Sequence, residues 1–202
     1  ISQFYFDAAH HDRELKRIWA RNWIYAGRAS DIAPMTVRRL PVAGQNLILV
    51  KDADGALTCF HNTCRHRGAE LCRAEAAKLK SKLISCPYHG WSYDLRGKLA
   101  RTPFIAATDG FRTEEHGLYP VEVKEWNGFV FVCLADAPPD FGLAPDLGTG
   151  AFDNWPMADL VTGHTLVTEM ACNWKIFWEN YNECLHCPGI HPELSERVPV
   201  YG

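Results

Sequence analysis

Three features that would assign a compartment or a nucleic-acid partner are missing from this 202-residue sequence. No apolar run approaches the roughly 20 residues that span a bilayer. The basic residues are scattered, the net charge is -3, and there is none of the basic stripe that nucleic-acid binding requires. The first residues do not combine a charged segment with an apolar one, so we see no signal peptide. These absences predict a cytoplasmic protein with no membrane and no nucleic-acid partner.

A disulfide framework is also disfavoured, although the chain contains eight cysteines. Disulfide-rich domains are short and cannot build a sufficient apolar core, whereas 47% of this sequence is hydrophobic and 12% is aromatic. Such a composition can bury a core without covalent crosslinks. We therefore expect reduced thiols, two of which are metal ligands.

Residues 40–133 have the pattern of a β-rich region. Short runs of apolar residues are separated by turn residues throughout this part of the chain. The clearest turn is Asn127-Gly128, because both residue types tolerate the positive φ angles of a type I′ hairpin. Residues 137–150 are rich in proline and glycine and predict a linker between two domains.

Helical patterns lie on both sides of the β-rich region. Apolar spacing predicts a helix from Ala8 to about Asn22 and a second helix from Asn173 to about His186. Between the linker and the second helix, residues 163–170 have the composition of a strand. The sequence as a whole therefore predicts an α+β protein.

Two mixed pairs of metal-binding residue types occur in the β-rich region: Cys64 with His66, and Cys86 with His89. Four such ligands can close a tetrahedral zinc site, or they can hold a [2Fe-2S] cluster with both cysteines on one iron and both histidines on the other. Zinc fingers usually pair like ligands, whereas a mixed pair suits a cluster because each loop can then contact both irons. Gly68 and Gly90 follow the pairs and allow the loops to close tightly.

A second group of metal-binding residue types lies near the end of the chain: Glu183, His186 and His191. On an unbroken helix, histidines five residues apart point about 140° apart, so their rings meet at one metal only if the helix breaks between them. Pro188-Gly189 supplies such a break. Two imidazoles and a carboxylate form the ligand set of a non-haem Fe(II) with open positions for O2. Zinc is the alternative, since Cys184 and Cys187 lie beside the histidines.

The two mixed pairs sit in motifs that resemble the cluster loops of the Rieske-type non-haem iron oxygenases, in the catalytic α subunit. The motifs are Cys-Arg-His-Arg-Gly-Ala from residue 64 and Cys-Pro-Tyr-His-Gly-Trp-Ser-Tyr from residue 86. Respiratory Rieske proteins carry a further cysteine in each loop, and these two form a disulfide. Ala69 and Tyr88 stand at those positions here, which points to the oxygenase branch. The run from Glu179-Asn180 to His191 also resembles the iron motif of this family.

The resemblance implies a chain in three parts. Residues 1–38 would form an N-terminal helix and linker that pack on the catalytic part. Residues 39–140 would form an all-β Rieske [2Fe-2S] domain, and residues 141–202 would begin a helix-grip-like α+β catalytic domain that is truncated here. The cluster ligands would be Cys64, His66, Cys86 and His89. His186 and His191 would bind a mononuclear Fe(II), whose third, carboxylate ligand lies beyond the chain end.

The resemblance also implies partners and roles. Glu183 would be catalytic as the acid that bridges the two metal centres across a subunit boundary. The protein would be a homotrimer that receives electrons from a flavin reductase or ferredoxin, and NAD(P)H would be their indirect source. The small-molecule substrate would undergo aromatic-ring hydroxylation, or N-demethylation if it is a quaternary ammonium compound. Ring-hydroxylating members usually have Asp where Glu183 stands, and Glu is reminiscent of the quaternary ammonium branch.

Two other functions fit part of this pattern. A Rieske-type electron carrier would need the cluster but no oxygenase chemistry, and the histidine pair His186 and His191 argues against it. A zinc-dependent binding module would use the same cysteines and histidines without iron. The two are separable by colour, because an iron–sulfur cluster absorbs visible light and zinc does not.

Overall fold

The computed structural model describes residues 1–103, 110–142, 152–183, 185–198 and 200. The chain forms two compact units: a smaller one from Ile1–Glu14 with Thr165–Gly202, and a larger one from Leu15–His164. The predicted boundaries after residues 38 and 140 stay predictions, and most of the predicted linker, residues 143–150, lies outside the described residues. No helix in the described part of the chain is long and apolar enough to cross a membrane.

The larger unit is built from ten strands among its described residues. They are β1 (Ile24–Arg28), β2 (Thr36–Val42), β3 (Gln45–Lys51), β4 (Leu57–His61), β5 (Ala76–Lys78), β6 (Leu83–Ser85), β7 (Ser92–Asp94), β8 (Leu99–Arg101), β9 (Pro120–Trp126) and β10 (Phe129–Cys133). One sheet has the order β1-β10-β9-β4-β3-β2-β5, and the other has the order β6-β7-β8. All neighbouring strands are antiparallel. The predicted β-rich region is confirmed.

The β9–β10 hairpin forms at the predicted turn. Asn127 and Gly128 have φ angles of 48° and 79°, as a type I′ turn requires, and Trp126 lies opposite Phe129 in the register. A side chain at Gly128 would also meet the Arg28 guanidinium at 2.6 Å. The residue types at this turn are therefore determined by the positive φ angles and by the lack of room for a side chain at Gly128.

Strand β3 separates the two apolar cores of the larger unit, because it is buried on both faces. Ile48 and Val50 contact one core, whereas Leu47 and Leu49, which point to the opposite face, contact the other. A strand covered on both sides has an unbroken apolar run in place of an alternating one. The first core also contains Cys64 and Cys86, so the candidate cluster thiols are anchored in the packed interior.

Short helices complete the described chain. The α-helices are α1 (Gln3–Phe6), α2 (Ala8–Arg17), α3 (Trp174–Tyr181), α4 (Cys187–Ile190) and α5 (Pro192–Arg197), and the 3-10 helices are Trp19–Arg21, Ala29–Asp31, Thr113–His116 and Met157–Asp159. The first predicted helix therefore ends about five residues early, at Arg17. A 3-10 turn follows, and the Asn22 side chain donates to the Ile18 carbonyl at 2.7 Å, which satisfies an acceptor that a longer helix would have used.

The prediction of a strand at residues 163–170 is wrong. This segment has no regular secondary structure, and Leu166 and Val167 are 83% and 82% exposed. A strand needs a hydrogen-bonded neighbour, and none of the described strands pairs with this segment. Composition by itself therefore did not decide the conformation of this segment.

The second predicted helix is shorter than expected, because it ends at Tyr181 and not near His186. It begins as predicted, since the Asn173 side chain accepts a hydrogen bond from the Lys175 amide at 3.1 Å. At the other end, the Asn182 amide closes the last turn on the Trp178 carbonyl. Glu183 and His186 therefore lie beyond this helix, in the segment between α3 and α4.

A buried carboxylate ties the N-terminal helix to α3 within the smaller unit. Glu14 is 6% exposed, and it accepts hydrogen bonds from Lys175 Nζ at 2.6 Å and from Trp174 Nε1 at 3.0 Å. The imidazoles of His10 and His11 approach it at 3.1 Å and 3.6 Å. Burial by itself raises the pKa of Glu14, but the bonds from Lys175 and Trp174 and the charges of Lys175 and His10 outweigh it, so the pKa lies below the ordinary value.

We expect Glu14→Gln to destabilise the smaller unit by about 2 kcal/mol at neutral pH, the typical value for hydrogen bonds to a charged group. The lowered pKa makes this contribution complete above the pKa of an unfolded glutamate, and it is lost as the pH falls through the folded pKa. Urea unfolding at pH 7 and at about pH 3 tests both points. Glu193→Gln, at an exposed glutamate of α5, is the control, and an equal deficit at both pH values would contradict the charge argument.

Candidate cluster and iron sites

The two predicted cysteine–histidine pairs lie in two loops of the larger unit. Loop 1, residues 62–75, leaves β4 and carries Cys64 and His66. Loop 2, residues 86–91, is the tip between β6 and β7 and carries Cys86 and His89. Both loops therefore start directly after the end of a strand.

The loops share one hydrogen-bond frame around their cysteines. In loop 1 the Gly68 amide donates to the Cys64 carbonyl at 2.9 Å, and the Cys64 amide donates to the Ala69 carbonyl at 2.8 Å. In loop 2 the corresponding bonds from Gly90 to Cys86 and from Cys86 to Trp91 measure 3.1 Å and 2.7 Å. Both glycines have φ angles near +70°, which residues with side chains rarely adopt. The two glycines thus have the backbone role that the sequence predicted.

The four side chains meet as two like pairs. Cys64 and Cys86 are 2% and 4% exposed, and their thiols interact with each other. The rings of His66 and His89 are half-buried, with centroids 4.8 Å apart. One buried pair of soft thiols and one pair of imidazoles is the donor set of a [2Fe-2S] cluster with both cysteines on one iron. The residues present therefore fit this group.

One residue of each pair, Cys86 and His66, has a shifted pKa. Burial raises the pKa of Cys86, and the Cys64 thiol adds to this effect, while the amides of Tyr88 and His89 act against it. Burial also lowers the pKa of His66, and the nearby charges of His89 and Arg67 lower it further. Both shifts favour the uncharged side chain.

Two aromatic residues next to these pairs were not singled out by the sequence analysis. The Trp91 ring is buried and stacks on His66 at 4.8 Å with only 9° between the planes. The Tyr93 hydroxyl lies 3.3 Å from Cys64 Sγ and accepts the Arg65 amide at 3.0 Å. Trp91 and Tyr93 follow the candidate ligand His89 by two and four residues, and this closeness is a signal that could have identified them.

Arg65, between the two loop 1 ligands, connects loop 1 to the segment that precedes β9. Its guanidinium donates to the Gly117 carbonyl at 2.8 Å and to the Glu115 carbonyl at 3.3 Å. It also lies 4.0 Å from the centre of the Tyr119 ring, the geometry of a cation–π contact. The Arg65 side chain therefore fastens loop 1 to residues 115–119.

The second predicted group lies in the smaller unit. His186 directly precedes α4 and His191 directly follows it. The centroids of their rings are 5.5 Å apart. Glu183 Oε1 is 2.5 Å from His186 Nδ1, and Glu183 Oε2 accepts the Leu185 amide at 2.7 Å. These two bonds lower the pKa of the Glu183 carboxyl. A carboxylate at Nδ1 leaves Nε2 of the same ring for a metal ion.

The predicted helix break at Pro188-Gly189 is wrong, because both residues lie inside α4. The helical segments are instead interrupted before His186, where α3 ends at Tyr181, and at His191, between α4 and α5. Proline is accommodated in the first turn of a helix, where its missing amide has no partner to lose. The two rings approach each other because a single turn separates them.

The zinc alternative at this group involved two cysteines. Cys187 is buried, and Cys184 lies outside the described residues. In the ranges that the structure covers, no group of three or more histidine, cysteine or acidic side chains surrounds one position suited to a single metal ion. None of the seven described cysteines forms a disulfide.

Comparison with known families matches both parts of the chain. Residues 22–120 match the Rieske [2Fe-2S] domain, and residues 157–200 match the catalytic domain of the ring-hydroxylating alpha subunit. The first match contains all four loop residues, and the second contains Glu183 and both histidines of the second group.

Relatives of known function align with most of this chain. It is 35% identical to the oxygenase subunit of glycine betaine monooxygenase from Pseudomonas aeruginosa over 199 residues, which is 96% of this chain and 45% of that protein. It is 33% identical to the oxygenase subunit of carnitine monooxygenase from Escherichia coli over 203 residues, which is 98% of this chain and 54% of that protein. The chain thus spans about half the length of these relatives.

Solved structures that superpose on this chain are oxygenases as well. A quaternary ammonium Rieske monooxygenase superposes with a TM-score of 0.84 and 30% identity, over 96% of this chain and 53% of that one. That structure is described as giving insight into carnitine oxidation and inter-subunit electron transfer. Naphthalene 1,2-dioxygenase superposes with a TM-score of 0.60 and 33% identity, over 66% of this chain and 31% of that one.

Proposed function

This chain belongs to the Rieske non-haem iron oxygenases, and from that membership we propose that it serves the O2-dependent oxidation of a small organic substrate. The observation that supports this function is the presence of two separate donor sets, one in each compact unit. A Rieske-type electron carrier would need only the cysteine–histidine loops. It is disfavoured because residues 157–200 match an oxygenase catalytic domain.

The residues of the larger unit would hold a [2Fe-2S] cluster. Cys64 and Cys86 would bind one iron as thiolates, and His66 and His89 would bind the other through their rings. The buried thiols keep water from the sulfur side, whereas the half-buried imidazoles stay accessible to a partner surface. When bound, the cluster and a mononuclear Fe(II) supply one-electron transfer and O2 chemistry.

The residues of the smaller unit would hold the mononuclear Fe(II). His186 and His191 would be two ligands, and a carboxylate outside this sequence would be the third. Glu183 would fix the His186 ring by accepting its Nδ1 proton in a hydrogen bond, which orients Nε2 toward the metal. The same carboxylate would connect the two centres between subunits, in line with the inter-subunit electron transfer described for the monooxygenase structure.

For the substrate we favour a quaternary ammonium compound over an aromatic ring. The quaternary ammonium relatives align with 96% or more of this chain, whereas naphthalene dioxygenase aligns with 66%. Glu183 in place of the Asp of most ring-hydroxylating members points the same way. Oxidation of an N-methyl carbon would place one oxygen atom of O2 in formaldehyde and the other in water, with two electrons supplied from outside.

Those electrons would come from NAD(P)H through a flavin reductase or a ferredoxin. Support comes from the relatives, whose names describe them as oxygenase subunits, which presupposes a separate component. A homotrimer would let the centres of neighbouring subunits exchange electrons. The cytoplasmic location stays a prediction.

The purified protein tests this function directly. We expect a brown protein that contains iron and acid-labile sulfide and gives a rhombic paramagnetic signal after reduction with dithionite. With its reductase it should consume O2 in the presence of glycine betaine or carnitine, but not of naphthalene. A colourless protein with stoichiometric zinc would overturn the oxygenase assignment, and consumption with naphthalene alone would overturn the substrate class.

A further inference from the structure

Loop 1 lacks the backbone support that loop 2 has. It runs from the end of β4 to the start of β5, and these two strands are not paired with each other. Loop 2 is the tip of a hairpin whose strands pair up to Ser85 and Ser92, so backbone hydrogen bonds hold both of its ends. The base of loop 1 is therefore held by other contacts.

Asn62 makes those contacts from the first position of loop 1. Its side chain is 1% exposed. Its Oδ1 accepts the amides of Leu71 and Cys72, both at 2.9 Å, and its Nδ2 donates to the Cys72 carbonyl at 2.7 Å and to Asn46 Oδ1 at 3.2 Å. A primary amide has two donors and two acceptor sites, so this side chain uses its whole hydrogen-bonding capacity.

These bonds join the two ends of the segment that carries the ligands. Asn62 precedes Cys64 by two residues, while Leu71 and Cys72 follow His66 by five and six. Asn46 extends the connection. Its side-chain Nδ2 donates to Glu70 Oε1 at 2.8 Å, and its backbone carbonyl accepts a hydrogen bond from the backbone amide of Asn62 at 2.9 Å. At a position this deeply buried, water cannot replace a lost partner.

We propose that Asn62 is a positioning residue for the cluster. Its side-chain amide fixes the distance between residue 62 and residues 71–72 of loop 1, and thereby the placement of Cys64 and His66. The inference rests on the proposed [2Fe-2S] cluster. It concerns the ligands of loop 1 alone, because the hairpin at loop 2 needs no such side chain. Loss of the Asn62 amide should therefore loosen one thiolate and one imidazole, which bind different irons.

The test compares cluster retention in Asn62→Leu, which keeps the size and removes the bonds, with that in Thr58→Val. Thr58 lies in β4 of the same unit, outside both loops, and donates to the Leu95 carbonyl at 2.9 Å, so Thr58→Val is a control that loses one hydrogen bond away from the ligands. The rate at which visible absorbance decays with an iron chelator should rise about tenfold or more in Asn62→Leu, as expected for loss of buried hydrogen bonds. The rate in Thr58→Val should stay near that of the parent protein.

Asn46→Ala is the milder variant for use if Asn62→Leu does not fold, and it should show the same change to a smaller degree. The reduced cluster of either variant should also have a broadened paramagnetic signal and a shifted midpoint potential, which a general loss of stability would not produce. Parent-like decay and spectra in the folded variants would overturn the role of Asn62. A parent protein without any cluster would overturn the proposed function and this inference together.

Discussion

Replacing Glu183 by alanine is expected to lower substrate-dependent O2 consumption by about 100-fold, the upper end of the range for removing the hydrogen-bond partner of a metal-ligating histidine. The carboxylate is 2.5 Å from His186 Nδ1 and also accepts the Leu185 amide, so it holds both the ring and the segment beside it. Alanine removes the acceptor and the negative charge at once. The iron should stay bound, because alanine leaves His186 and His191 in place.

The assay separates this role from loss of iron. Iron content, the paramagnetic signal of the reduced cluster and O2 consumption are measured on the same sample, and only the last should change. Glu196→Ala is the matched control, because Glu196 is an exposed glutamate of α5 in the same unit. Unchanged consumption in Glu183→Ala would remove the bridging role, and a loss of iron would assign Glu183 to metal binding.

The grouping of the candidate ligands at both sites was predictable because it depends on residue type and short spacing. Cys64, His66, Cys86 and His89 lie within four residues of their partners, and Gly68 and Gly90 adopt the positive φ angles that tight loops need. The Asn127-Gly128 hairpin was predictable for the same reason, since its turn type follows from two adjacent residues.

The supporting contacts could not be predicted, because they join residues far apart in sequence. Tyr93 meets Cys64 across 29 positions, and Asn62 meets Asn46 across 16. No local pattern indicates which buried amide or phenol will face a loop from another strand. The register of β3, β4 and β7 decides this, and register is a property of the packed sheet.

Two of the errors near the end of the chain have the same origin. Residues 163–170 have the composition of a strand but no described partner, and the helix expected to reach His186 stops at Tyr181. Propensity is a weak guide when tertiary contacts supply most of the stability of a strand or helix. One consequence is that Glu183 lies outside α3, in the segment where its carboxylate contacts His186.

Replacing Cys86 by alanine is expected to abolish the cluster. A [2Fe-2S] centre of this type has two thiolate ligands on one iron, so removing one leaves that iron with a single protein ligand. The variant should lose its visible absorbance, its signal after dithionite, and about two irons and two sulfides per chain. Serine is avoided because its hydroxyl would keep an oxygen ligand at the same place.

Cys59→Ala is the control that separates loss of a ligand from loss of packing. Cys59 is 2% exposed in β4, and burial raises its pKa to about 12, so at neutral pH it is a protonated, apolar side chain of the second core. Both variants delete one buried sulfur from the same unit, and both should lose stability through the cavity that remains. Only Cys86→Ala should lose colour, iron and sulfide, and equal losses in both variants would show that packing, not ligation, explains the effect.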